Sequence, residues 1–376
     1  MLTNDKLRSL PRQAGVDVLV AMSPENFAYV GGTHIITVKL LPSRHAYAVI
    51  PRDREPILLV CSIEESLARE ESWIKDVRTY TEFKDDPVEM LAKLLTELGL
   101  DRGKLGIDLS YLPQLAYARL VGYLPNIQIL DTTDAVVNLR AVKTDDEVAI
   151  VENATKTTHA AVLKAMEESR LGETEKTMAN RIANGMITNG ADGTLFICFG
   201  SGPRSMQAHP MANDRIPKES EIIRFDVGGT YKSWNTDFAR TYSTGNPTAV
   251  QKETYRALAK VQKETIEFVK PGITAEDVFF YCKESFSRHG LKFHMPHVGH
   301  SFGIELHENP MLRPGDKTKI TPGMVFNVEP LCFDGAGGGF HLEDLLVVTD
   351  KGNRLLTNGL APRELPVIGM PLSRQI

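Results

Sequence analysis

Apolar and polar positions follow two rhythms along this chain. Over roughly the first third, short apolar runs alternate with stretches of helical spacing. VDVLVAM, ending at Met22, reads as a buried strand, and HAYAVI (45–50), ILLVC (57–61), LGID (105–108) and IQIL (127–130) read as further strands. PENFAYV (24–30) opens with a proline at a first-turn position and predicts a short helix. VEMLAKLLTELGL (88–100) carries its apolar residues at helical spacing. This alternation predicts an α/β domain.

The rhythm changes near residues 135–145. Thr144 followed by Glu147 has the form of a capping box, and a long helix is expected to follow through about residue 169. Further helical segments lead to strand-like EIIRFDVGG (221–229) and NTDFARTYS (235–243). Two helices are expected at 248–268 and 274–289, then strand-like GMVFNVEP (323–330) and GFHLEDLLVVT (339–349). Strands and helices are partly segregated here, which favours α+β over a doubly wound sheet. The division expected is an N-terminal domain over 1–138 and a second domain over 139–376. The proline-rich tail after Asn358 is expected to run over the surface.

Composition narrows the function classes. At 376 residues, two domains are the default. A net charge of −5 gives no reason to expect nucleic acid or a membrane surface as partner. MLTNDKLRSL is charged at the start, unlike a secretory signal, and no run approaches the roughly 20 apolar residues of a membrane span. Four widely spaced cysteines without C-x-x-C spacing suit reduced core thiols, so a cytoplasmic location is expected.

The chemistry lies in acids placed inside apolar strands. Asp226 sits in IIRFDVGG and Asp237 follows eleven positions later, across a turn signal that would place both on neighbouring antiparallel strands. Glu329 in MVFNVEP and Glu343 in FHLEDLLVV flank the glycine-rich run 335–339, which reads as a hairpin loop. Four carboxylates in apolar settings are costly unless a cation neutralises them. His297, His300 and His307 lie between the two pairs. One imidazole with several carboxylates is an oxygen-rich donor set that suits Mn²⁺, Fe²⁺, Co²⁺ or Zn²⁺ in a two-metal centre. G-x-S-x-G, phosphate-loop and H-E-x-x-H motifs are absent from the sequence.

These motifs resemble those of the pita-bread metallopeptidases, the family of prolidase, aminopeptidase P, methionine aminopeptidase and creatinase. The D-x-G strand falls on Asp226, T-D-x-x-R-T on Asp237, the G-H segment on His300, G-M-V-F-x-x-E-P on Glu329 and the final x-E-D on Glu343. SPENFAYVGG (23–32) and LRAVKTDDEVAIV (139–151) resemble the creatinase-type N-terminal domain and the start of the catalytic domain. The resemblance thus covers nearly the whole chain and favours the prolidase, aminopeptidase P and creatinase branch.

It implies an α+β fold: a C-terminal pita-bread catalytic domain with a smaller N-terminal α/β creatinase-type domain. It further implies a homodimer and two divalent ions, manganese favoured. One ion would be held by Asp226, Asp237 and Glu343, the other by Asp237, His300, Glu329 and Glu343. Glu329 would act as general base beside a metal-bridged hydroxide. His209, seventeen residues before Asp226, and His307, seven after His300, match the family's catalytic histidines. His34, His297 and His341 are candidate substrate contacts. The activity implied is hydrolysis of Xaa-Pro bonds in dipeptides or short peptides. The alternative is a metal-dependent hydrolase or lyase acting on a small creatine-, ectoine- or sulfoniopropionate-like molecule. A non-catalytic binding protein is disfavoured, because such relatives typically lose ligands. The chain departs from the peptidases at His341, where they usually carry arginine, at Ser301-Phe302, and at Ala208-His209-Pro210. These changes are expected next to the substrate.

Overall fold

The computed structural model describes residues 4–333 and 337–371. The chain divides into two compact units, Met1–Arg140 and Ala141–Ile376.

The N-terminal unit is built on one mixed sheet of β1 (Val18–Ala21), β2 (Tyr47–Pro51), β3 (Ile57–Cys61), β4 (Asp76–Tyr80), β5 (Lys104–Ile107) and β6 (Gln128–Asp131), in the order β4-β3-β2-β1-β5-β6. All of β1 is buried because both of its faces are covered. Val18 and Val20 face the side packed by Leu91 and Leu95 of the helix Pro87–Glu97. Leu19 and Ala21 face Phe27 and Val30 of the helix Pro24–Gly31, whose Ser23 hydroxyl accepts the Asn26 amide as its N-cap. Strand β4 and the helix Gln114–Tyr123 were not expected from the pattern, since their polar residues blur the period.

The C-terminal unit opens with the helix Asp145–Glu168, and Thr144 and Glu147 form both halves of its capping box. β7 (Gly193–Ser201), β8 (Ile222–Tyr231), β9 (Trp234–Asn235) and β10 (Phe238–Ser243) form one antiparallel sheet, ordered β10-β8-β7 with β9 on β8. The β8–β9 turn is made by Lys232 and Ser233, both at positive φ, the conformation a two-residue hairpin demands. β11 (His300–Ser301) pairs with β12 (Glu308–Met311). β13 (Val325–Val328), β16 (Asp344–Thr349) and β17 (Gly352–Leu355) make a three-stranded sheet, and β14 (Leu331–Cys332) pairs with β15 (Phe340–His341).

The segment 339–349, expected as one strand, is broken. Val328 pairs with Asp344 and Leu331 with His341, leaving Glu329 and Glu343 at the interruption. There the Glu329 amide donates to the Val298 carbonyl and the Glu343 amide to Ala239, so each turns its backbone to a different neighbour. Of the glycine-rich loop, residues 334–336 lie outside the described part. The tail does not simply run over the surface. Pro366 accepts the Ser243 amide at 2.8 Å, the Ile368 amide returns to Ser243 at 3.0 Å, and Leu365 and Ile368 are buried. Its apolar residues outweigh its prolines.

Helices Ala249–Phe268 and Ala275–Arg288 are tied by Glu264, which accepts from Ser285 at 2.7 Å, Arg288 at 2.8 Å and His289 at 2.7 Å. Burial pushes the Glu264 carboxyl up, but these donors outweigh it and hold it at about 2, below the ordinary 4.5. A depressed acid stabilises the fold above its unfolded value and loses that contribution as pH falls towards its folded one. Glu264→Gln is therefore expected to lower stability by about 1 kcal/mol at pH 7, after allowance for solvent screening. The difference from wild type should shrink as pH falls from 4.5 towards 2. Urea melts across that range check it, and a pH-independent difference would contradict it.

Candidate metal centre

Strand period places Arg224 and Asp226 on one face of β8, and Asn327 and Glu329 on one face at the end of β13. Asp226 pairs in register with Ala239, which brings Asp237, just before β10, to its side. The interruption of the second sheet adds Glu329 and Glu343. Gly299, at φ 154°, allows the backbone before His300 to approach β13; a Cβ there would lie 2.2 Å from the Asn327 carbonyl oxygen.

Ligand-capable atoms of Asp226, Asp237 and Glu343 lie within 4.8 Å of one another, and so do those of Asp237, His300 and His307. The His300 Nε2 stands 3.6 Å from Asp237 Oδ2 and 3.4 Å from Glu329 Oε1. Its Nδ1 donates to the Ser301 carbonyl at 2.9 Å, which leaves the Nε2 lone pair facing the acids. Asn327 braces this arrangement. Its carbonyl accepts the His300 amide at 2.6 Å, and its NH₂ reaches His300 Nε2 at 2.9 Å and Glu343 Oε1 at 2.6 Å.

Electrostatics show what the cluster lacks. Burial, then the charges of Glu343, Asp226 and Glu329, push the Asp237 carboxyl well above the usual carboxylate range. Burial, then Asp226 and Glu329, do the same to Glu343. Burial also raises Glu329, but the nearby imidazoles of His297, His341 and His300, 3.4–3.5 Å away, reverse the sign and hold it low. Burial takes the His300 imidazole down to about 4 and also lowers His307, so both are neutral near pH 7. Asp226 Oδ1, Glu329 Oε1 and Glu343 Oε2 are buried without a hydrogen-bond partner. Buried, mutually repelling acceptors with spare lone pairs and neutral imidazoles are a donor set that fits divalent cations.

The other sequence candidates fall in three places. The His307 ring stacks on His300 with centroids 3.8 Å apart and is exposed at the outer edge; His209 is exposed and close enough for its charge to act on His307. His297 Nδ1 lies 3.4 Å from Glu329 Oε1, and His341 is buried between Glu329 and Asp226. His34 is exposed in the N-terminal unit and is not among the side chains gathered in the C-terminal one. Ser301 and Phe302 directly follow His300. Both are fully buried, and the Ser301 hydroxyl lies 3.1 Å from Lys143 Nζ.

Sequence reading missed four supporting side chains. Lys143 Nζ pairs with Glu308 at 2.8 Å, both about 1% exposed, and so clamps the hairpin that carries His300 and His307. Buried Arg224 donates to the carbonyls of Ser205 at 2.9 Å and Ala208 at 2.7 Å, and also to Gln207, holding the segment before His209. Buried Arg240 donates to the Glu343 carbonyl and pairs with Asp344 at 2.5 Å. Asn327 is the fourth. For Arg224, Arg240 and Asn327 the available signal was a polar residue in an apolar strand, as for the acids; Lys143 lies in no strand.

Comparison with known proteins agrees with this geometry. Residues 149–350 match metallopeptidase family M24, and residues 4–142 match the creatinase/prolidase N-terminal domain. The Xaa-Pro dipeptidase of Pyrococcus furiosus is 29% identical, over 94% of this chain and 97% of that one. The Xaa-Pro dipeptidase of Pyrococcus horikoshii is 30% identical, over 90% and 92%. The crystal structure of the prolidase from Pyrococcus horikoshii OT3 superimposes with a TM-score of 0.85 at 28% identity, over 96% of this chain and 99% of that one.

Proposed function

Because the chain belongs to metallopeptidase family M24 and carries a creatinase/prolidase N-terminal domain, we propose that it is a metal-dependent peptidase cleaving Xaa-Pro bonds of dipeptides or short peptides. The observation that carries this reading is the convergence of four carboxylates and His300 at the sheet interruption, in a chain alike over nine-tenths of its length to an Xaa-Pro dipeptidase.

Asp226, Asp237 and Glu343 would hold one divalent ion; Asp237, His300, Glu329 and Glu343 would hold the other. Such ions, when bound, supply Lewis acidity and bring the ionisation of water towards neutral pH. The oxygen-rich set by itself favours manganese. Glu329 would accept a proton at its carboxylate and return it to the leaving nitrogen, with His297 and His341 beside it to orient the carboxylate. A prolyl nitrogen carries no hydrogen before cleavage, so it leaves only when protonated. His307, exposed beside His300, would donate a hydrogen bond to the carbonyl oxygen as charge develops there, and His209 is near enough to His307 to act on it electrostatically. Four buried cysteines, none of them in a disulfide, suit a reducing, cytoplasmic setting. A homodimer is the assembly proposed. Among the described residues no helix is long and apolar enough to cross a membrane.

The test is a panel of Gly-Pro, Ala-Pro, Met-Pro and an Xaa-Pro-Xaa tripeptide, each with Mn²⁺, Co²⁺ or Zn²⁺ and with chelator. Proline release from dipeptides, lost on chelation and restored by the ion, is expected. A fully metallated protein that turns over no peptide would sink the reading.

A further inference from the structure

We propose that His341 is an additional metal ligand, bringing a second imidazole to the centre beside His300; this rests on the metallopeptidase reading above. His341 is 3% exposed. Its Nε2 lies 3.5 Å from Glu329 Oε2 and its Nδ1 3.9 Å from Asp226 Oδ2, one acid at each end of the ring. Beyond the charge of Glu329 3.5 Å away, neither nitrogen has a partner in hydrogen-bonding geometry. His159, comparably buried in the same unit, behaves as a structural histidine should: its Nδ1 accepts the Asn358 amide at 3.0 Å.

The ring is held there. The Thr241 hydroxyl accepts the His341 amide at 2.8 Å and donates to its carbonyl at 2.9 Å, fixing both backbone groups of a two-residue strand. A buried polar atom left unmade is destabilising, so a ring clamped with both nitrogens unmet implies an absent partner. The oxygens that face the ring, Asp226 Oδ2 at 3.9 Å and Glu329 Oε2 at 3.5 Å, make no hydrogen bond with it, and the sister oxygens Asp226 Oδ1 and Glu329 Oε1 are unmet as well. A cation among them satisfies acceptors and imidazole together. Ligating histidines commonly donate their second ring N–H to a carboxylate. With acids at both ends, one His341 nitrogen takes the ion while the other N–H donates to the opposite acid.

The chemical consequence is selectivity. Carboxylates suit Mn²⁺, whereas imidazole raises the relative affinity for Zn²⁺, Co²⁺ or Fe²⁺. A second imidazole shifts the centre towards the latter group.

The test uses Co²⁺-loaded full-length protein and proton NMR, in which each metal-bound imidazole gives a strongly shifted, exchangeable N–H resonance. Wild type is expected to show at least two, and His341→Gln to lose one different from that lost in His300→Gln. Chelator competition should show Zn²⁺ affinity falling about tenfold or more in His341→Gln, with Mn²⁺ affected less. A His341→Gln protein that keeps every shifted resonance and the wild-type Zn²⁺ to Mn²⁺ ratio would overturn the inference while leaving the peptidase reading intact. Should the variant not fold, the wild-type spectrum decides, because a single shifted N–H excludes a second imidazole ligand. Wild type that binds no Co²⁺ would overturn both.

Discussion

Asp237→Asn is expected to reduce kcat/KM for an Xaa-Pro dipeptide by at least about 10³-fold, about 4 kcal/mol of transition-state stabilisation. Asp237 is the residue shared by both ligand-capable triads, and it is 5% exposed. An amide lacks the charge and the second carboxylate oxygen that Asp237 would offer to a cation. A second readout separates this from simple damage. Without metal, burial and the surrounding acids push Asp237 far above the usual carboxylate range, so its charge at neutral pH is destabilising. The neutral variant removes that repulsion. In chelator, Asp237→Asn should melt no lower than wild type, yet gain little on adding Mn²⁺ or Co²⁺, whereas wild type should gain several degrees. Scanning fluorimetry with and without metal measures both. A variant that retained activity and the metal-induced shift would remove Asp237 from the centre.

The largest expected loss of stability is at Arg240→Met. Arg240 and Asp344 are about 1% and 0% exposed, and Asp344 also accepts from Thr357 at 2.9 Å and from the Ala361 amide at 3.0 Å. Removing the guanidinium leaves a buried carboxylate without its countercharge, at a cost of about 3–5 kcal/mol. For a unit of this size that corresponds to a fall of about 10 °C in melting temperature. Adding Asp344→Leu should recover most of the loss, because a buried ion pair can be exchanged for apolar packing far more cheaply than it can be halved. Calorimetry on wild type, single and double variants checks this. A single variant within about 1 kcal/mol of wild type would show that Asp344 is neutralised otherwise.

What could be read without coordinates was local or periodic. The capping box at Thr144, the strands at Ile57–Cys61 and Ile222–Tyr231, and the acids within them follow from spacing alone, and the fold class follows from the order of elements. What escaped was set by partners distant in sequence. The pattern over 339–349 is continuous, yet the strand breaks because the Glu343 amide is claimed by Ala239. β7 went unread because its period is blurred until it pairs with β8. The contact of Ser301 with Lys143, 158 positions away, could not be foreseen either. Arg224 and Arg240 looked like ordinary strand charges, whereas each is buried against backbone carbonyls.

The Lys143–Glu308 pair bears on how this catalytic machinery can be inherited. The stretch matched to the metallopeptidase family runs from 149 to 350, and Lys143 lies before it. A gene segment confined to that stretch would carry both histidines of the β11–β12 hairpin but lose the buried lysine that pairs with Glu308. The smallest portable catalytic module in this protein is therefore longer than its family signature, reaching back into the segment that joins it to the preceding domain. Recombination at the signature's edge would be selected against on folding grounds before any question of substrate arose.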